Sequence, residues 1–288
     1  MSDLFNLKKI SRVFTLICVL FLSIGCSTRL AYNYADWWLA WQLDDYVELD
    51  QSQQALFEKE LTMLLSWHRR FELTHYATLL TNFRLAVDNK NKLLFTQTYR
   101  QGREVWSRAA EKAAPAIIKL LSSLNKEQKQ QLIANIKQKQ QEDHEVWREQ
   151  KEDSDKESRF EEMKQGFEQY VGELTPQQVR LLQEFYPKFS DTMELRIKSR
   201  AAWLQKFASA LKPDSSSSGI DRQLLLTLLT DFNSYRSSEH VSKTEQNQLL
   251  YQQMLEAILP TLSANQIEQI TEQIDQYIED FEYLNQTS

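Results

Sequence analysis

A chain of 288 residues can hold one or two domains with a proper hydrophobic core, and its 34 Lys and Arg against 40 Asp and Glu leave a net charge of −6. That acidic balance argues against the basic face that nucleic-acid binding needs. Only five glycines are present, no Asn-Gly, Asp-Gly or Gly-Gly pair marks a hairpin, and Leu, Gln, Glu, Lys and Ala dominate, so the fold reads as all-α, an irregular bundle of long amphipathic helices.

The first residues have the layout of an export signal: basic Lys8, Lys9 and Arg12, an apolar run from Val13 to Leu22, then small residues before Cys26. The apolar run is shorter than the roughly 20 residues that a membrane-crossing helix requires, so residues 1–25 read as a signal peptide. Leu22-Ser23-Ile24-Gly25-Cys26 resembles the lipobox of bacterial lipoproteins, with Ser23 standing where an aliphatic residue is usual. The resemblance implies that Cys26 is acylated and becomes the first mature residue. It also gives Ser27 a sorting role and implies outer-membrane delivery, facing the periplasm. Acyl chains on Cys26 would anchor the chain without a transmembrane helix, which makes the membrane the first expected partner. Losing residues 1–25 removes three basic residues, Asp3 and Cys18, which brings the mature charge to about −8 and leaves no disulfide to form.

The mature part, residues 26–288, reads as a single helical domain with a flexible linker at 212–219 and a possible C-terminal subdomain at 220–288. Its densest unusual segment follows the anchor: Tyr32, Tyr34, Trp37, Trp38 and Trp41, interleaved with Asp36, Asp44 and Asp45. A belt at the membrane interface is one reading, since Trp and Tyr partition to the headgroup region. We favour a core helix, because an interfacial one would carry more cations than Arg29 alone. A semi-buried acid then needs a cation. Trp67-His68-Arg69-Arg70 supplies the nearest, so Asp44 or Asp45 is expected to meet Arg69 or Arg70 in a helix-registry or interaction site.

Four segments share one pattern of Leu, a capping residue and Gln three positions later: Leu49-Asp50-Gln51-Ser52-Gln53, Leu124-Asn125-Lys126-Glu127-Gln128, Leu174-Thr175-Pro176-Gln177-Gln178 and Leu262-Ser263-Ala264-Asn265-Gln266. Each predicts a capping box that opens a helix. The polar stretch from Lys137 to Arg159 predicts either one long helix whose middle protrudes from the core or a break near Asp153-Ser154-Asp155. Leu182 through Leu211 predicts a helix kinked at Pro187. Leu224, Leu225, Leu228, Leu229 and Phe232 mark a shorter helix, and Ile267, Ile270, Ile274, Tyr277, Phe281 and Leu284 a final amphipathic one.

No His-Glu-x-x-His, Walker loop, Gly-x-Ser-x-Gly or dinucleotide-binding glycine pattern occurs, and we expect no enzymatic activity, cofactor or metal. His68 and His75 lie two helical turns apart, too far to share a metal. His144 sits in a solvated acidic cluster and His240 in an expected loop. The stretch from Ala31 to Trp38 and Asp44-Asp45-Tyr46, followed by Trp67-His68-Arg69-Arg70, resembles a family of predicted proteobacterial lipoproteins of unknown function. This likeness extends over the whole chain and implies a helical, non-enzymatic envelope lipoprotein with a protein partner and a structural or interaction role. Leu174-Thr175-Pro176-Gln177-Gln178 is similar to the Leu-Thr-x-x-Gln motif of small periplasmic helical chaperones. That implies an alternative, a membrane-tethered chaperone or stress adaptor cradling partly folded clients on residues such as Phe160, Met163 and Phe167.

Overall fold

The structure, a computed structural model, describes residues 28–153, 156–212 and 219–287. Cys26, Ser27 and most of the 212–219 linker lie outside the described residues. Among the described residues the secondary structure is helical throughout. In chain order the helices are α1 (Thr28–Asn33), α2 (Ala35–Asp44), α3 (Gln51–Trp67), α4 (Leu73–Asp88), α5 (Lys92–Ser123), α6 (Lys126–Asp153) and α7 (Lys156–Val171). They continue with α8 (Pro176–Phe185), α9 (Met193–Leu211), α10 (Arg222–Thr230), α11 (Ser238–Ile258) and α12 (Ala264–Gln286).

All four capping boxes form, and the structure pairs them. The Gln53 and Gln128 side-chain amides bond each other reciprocally at 2.9 and 2.6 Å, and Gln178 and Gln266 do the same at 2.9 and 3.0 Å. Each oxygen also accepts from its own cap's backbone N–H. The second N–H of each amide reaches the partner segment, on the carbonyls of Ser123, Glu48, Thr261 and Glu173. Every donor and acceptor of the four amides is therefore used, which is what allows Gln178 to be fully buried. Ahead of the third box, Gly172 ends α7 with φ of 75°, and a Cβ there would meet the Gln269 side chain at 2.6 Å.

Two apolar clusters flank these clasps. The first gathers Val47, Ile118, Leu121, Leu124, Phe207 and Leu225 around the Gln53–Gln128 pair. The second gathers Ala86, Phe95, Leu174, Leu182, Met254 and Leu262 around the Gln178–Gln266 pair. The leucine that precedes each cap belongs to the adjacent cluster: Leu124, Leu174 and Leu262 are buried and Leu49 is partly so. Helices α4 and α12 form the most extensive helix pair, and α1 docks on α12 through an ion pair between Arg29 and the buried Asp280, with the guanidinium over the Tyr283 ring.

Several expectations are corrected. Pro187 does not kink a continuous helix. It has no N–H to offer and crowds the carbonyl four residues back, so α8 ends at Phe185, a 3-10 turn spans Tyr186–Lys188, and Phe189 is extended before α9. His240 is not in a loop but in the first turn of α11, buried, with Nδ1 2.6 Å from the Ser199 hydroxyl. In α12, Ile274 and Leu284 are buried as the periodicity predicts, but Tyr277 is exposed. The polar segment is held further along than its composition suggests, since Arg200 pairs with Asp143 at 2.8 Å and both Arg196 and Arg200 lie over Trp147.

Replacing Gln178 by Leu should lower unfolding stability by about 3 kcal/mol, because it strands the Gln266 amide and the Thr175 N–H in a dry site. Urea unfolding of wild type, both single variants and the Gln178→Leu/Gln266→Leu double variant checks this. The double variant should cost clearly less than the two singles together, as expected of one interlocked unit.

Candidate functional site

The motif Trp67-His68-Arg69-Arg70 opens a π-helical turn, His68–Glu72, between α3 and α4. Such turns re-aim side chains and recur at functional sites. Here the turn places His68 between two tyrosines, with Nδ1 3.0 Å from the Tyr32 hydroxyl and Nε2 3.3 Å from that of Tyr76. Burial, followed by the neighbouring Glu72 carboxylate, pushes the Tyr76 hydroxyl up to about 12, and its proton bonds to Glu72. The Tyr32 hydroxyl also donates to the Leu65 carbonyl at 3.3 Å. Burial holds the His68 pKa below its ordinary value, which favours the neutral ring. Glu72 is itself buried and held by Arg108 at 2.7 Å. The network fixes α1 against the π-helical turn, and among the described residues the buried Arg108 Nε beside it has no hydrogen-bond partner.

The predicted partners of Arg69 and Arg70 are corrected by the same geometry. Arg69 bonds Asn33 at 3.3 Å and lies over the Tyr32 ring, Arg70 is exposed, and neither pairs with Asp44 or Asp45, which are both exposed. Asp36 accepts from the backbone N–H of Trp37, at 2.8 Å. The reason is hairpin register. The chain turns at Asp50, so Asp44 and Asp45 lie at one end of the 17-residue α3 and Arg69 at the other, about 26 Å away. Residues equidistant from that turn, Tyr32 and His68, are the ones that meet. Trp67 faces Lys112, whose Nζ is 5.4 Å from the ring.

The aromatic helix is not the core element we expected. Trp37, Trp38 and Trp41 are 66, 51 and 51 % exposed, with Trp37 stacked on Trp41. At about 100° per residue these three occupy one side of α2, while Leu39 and Leu43 point the opposite way. It is Leu39 and Leu43 that face the interior. Both sides of the helix are apolar, so composition alone assigns either to the core.

The interior that Leu39 and Leu43 reach is an open apolar cleft of about 770 Å³. Its walls come from α2, α3, α5, α6, α9 and the α10 end: Phe57 and Leu64, Ile117 and Leu120, Ile136, Trp203, and Phe232 and Tyr235. The charged lining is sparse. Lys139, Gln140 and Arg200 lie where α6 meets α9, and the lone acid of the lining, Glu60, is neutralised by Lys119. By contrast, the surface expected to cradle clients faces inward, since Phe160, Met163 and Phe167 pack against the second apolar cluster.

Fold and site together define an all-α protein with a ligand-sized apolar cleft walled in part by an externally aromatic helix. The chain belongs to a family of unknown function, DUF6279, whose pattern matches residues 45–241. The match includes Trp67-His68-Arg69-Arg70 and most of the cleft but begins after the tryptophans of α2, whereas the sequence likeness was expected over the whole chain. No curated protein and no solved structure matches it.

Burial lowers the pKa values of both His68 and His240. The folded state therefore favours the neutral rings, and the unfolded chain takes up protons first as pH falls below the ordinary value of 6.5. Stability is predicted to be full above that pH and to decline as pH falls from it through the depressed folded values. Urea midpoints measured between pH 7.5 and 5 should fall for wild type and fall less for His68→Gln.

Proposed function

We propose that the protein is a lipid-anchored lipoprotein of the bacterial envelope that acts by binding rather than by catalysis. Acylated Cys26 holds it to the membrane, with Ser27 directing it to the outer membrane on the periplasmic side. The observation that carries this reading is the uncovered aromatic side of α2. Arg29, three residues beyond Cys26, is locked to Asp280, and Trp37 and Trp41 follow about 12 and 18 Å further along the helices. A bilayer reached by the acyl chains would lie beside these rings, whose amphipathic character suits the headgroup level. Among the described residues no helix is long and apolar enough to cross a membrane, which leaves membrane attachment in this reading to the lipid and the aromatic side.

The non-enzymatic role rests on a cleft whose lining is almost wholly apolar. An envelope protein partner would meet the body of the domain away from α2. The chaperone alternative rests on Leu174-Thr175-Pro176-Gln177-Gln178, whose Gln178 serves the same clasp chemistry as the other three boxes.

Fatty-acid labelling of cells should tag wild type and not Cys26→Ala; equal labelling of the two, or none of either, would remove the anchor. With the full chain in vesicles containing brominated phosphatidylcholine, tryptophan fluorescence should be quenched. The Trp37→Ala/Trp38→Ala/Trp41→Ala variant should lose most of that quenching, and unchanged quenching would sink the membrane contact. Trp38→Ala alone should change stability by no more than about 0.5 kcal/mol in thermal unfolding, as for other surface positions.

A further inference from the structure

We infer that the apolar cleft binds the hydrocarbon tail of a long-chain fatty acid, with the carboxylate at the Lys139 end. Size is the first argument. At about 770 Å³ the cleft falls within the range of small-molecule sites.

Chemistry is the second argument. Leu39, Leu61, Leu64, Ile117, Leu120 and Phe207 offer the tail continuous apolar contact with no polar group to satisfy. Charge is the third. Arg200 is already committed to Asp143 and Trp147, whereas among the described residues Lys139 has a loose 3.7 Å contact with Glu142 on an open surface. Such an exposed pair contributes little, so Lys139 remains able to meet an incoming anion. The lining's lone acid, Glu60, is neutralised by Lys119 and does not repel one.

The cleft is not built from the anchor's end of the chain. The entry of the chain is fixed on α12 through Arg29 and Asp280, and α12 contributes nothing to the cleft walls. Leu39, the first cleft residue, lies about 15 Å further along from Arg29. Replacing Cys26 removes the chain's own acyl group without touching a cleft wall, so the cleft can be tested with the anchor gone.

The test uses membranes carrying the full chain, incubated with a diazirine-bearing palmitate, irradiated, and mapped by peptide mass spectrometry. Adducts are expected on the 39–47, 113–124 and 203–207 segments, competed by unlabelled palmitate and far less by hexadecanol, which has the same tail without the charge. Ala116→Trp, which fills the cleft from α5, should reduce these adducts at least tenfold. Lys139→Glu changes an exposed side chain and should not disturb folding; it is expected to raise the half-saturating palmitate concentration about five- to tenfold. Cys26→Ala should retain cleft labelling even where it loses metabolic acylation, so the failure of the anchor and of the cleft can be told apart. Equal competition by hexadecanol would overturn the carboxylate assignment. Adducts confined to Trp37–Trp41, adducts indifferent to both cleft variants, or adducts that emerge only in Cys26→Ala would overturn the site.

Discussion

The architecture turns on a side-chain amide doing two tasks at once. In a capping box the glutamine satisfies its own cap's N–H, which leaves one lone pair and two N–H groups unspent. Burying that remainder alone would be costly. Here a second capping box consumes it: Gln53 closes on Gln128 and Gln178 on Gln266, and each also bonds a carbonyl two residues before its partner's cap. Two helix starts separated by 75 or 88 residues are thereby fastened together. Each apolar cluster condenses around one of these fastenings because the leucine before each cap points into it.

This arrangement explains what could be read in the sequence. Each capping box is local, written within five residues, and all four were legible. Which box pairs with which is a long-range fact, and nothing within five residues encodes it. The same division runs through the helices: periodicity finds Ile274 and Leu284, whereas Tyr277 on the same repeat is exposed because helix packing ends before the stripe does. Pro187 was recognised as a disturbance, but whether a proline kinks or ends a helix depends on whether neighbouring helices compensate the lost bond. His240 lies in a helix rather than the expected loop because Ser237 caps α11 three residues before it.

The candidate site divides the same way. Its residue types stood out at once, but their pairing was assigned by proximity in sequence and by charge. Charge attraction between Asp44 or Asp45 and Arg69 cannot act across the length of α3. The hairpin register, which the cap at Asp50 already implies, brings Tyr32 and Asn33 to His68 and Arg69 instead. Neutral hydroxyl and imidazole groups then fill a half-buried position that an ion pair would occupy only against a large desolvation cost. The cleft was not legible at all, since its walls come from helices far apart in the chain.

In the proposed reading, helix α2 ties the anchor, the aromatic surface and the cleft into one arrangement. A helix packed against a globular domain ordinarily has one apolar stripe and one polar face. This one has apolar residues on both, Leu39 and Leu43 towards the cleft and Trp37, Trp38 and Trp41 towards the outside. Exposing three indoles to water gains nothing for folding, and an exposed apolar patch of this kind marks a contact surface. A wall of that kind separates two apolar surroundings, and a membrane at one side and a hydrocarbon tail at the other would give both of its faces a use. The network at Tyr32, His68 and Tyr76 holds α1, which leads into this wall, against the π-helical turn. In this view the π-helical turn positions the wall helix and leaves the cleft to bind.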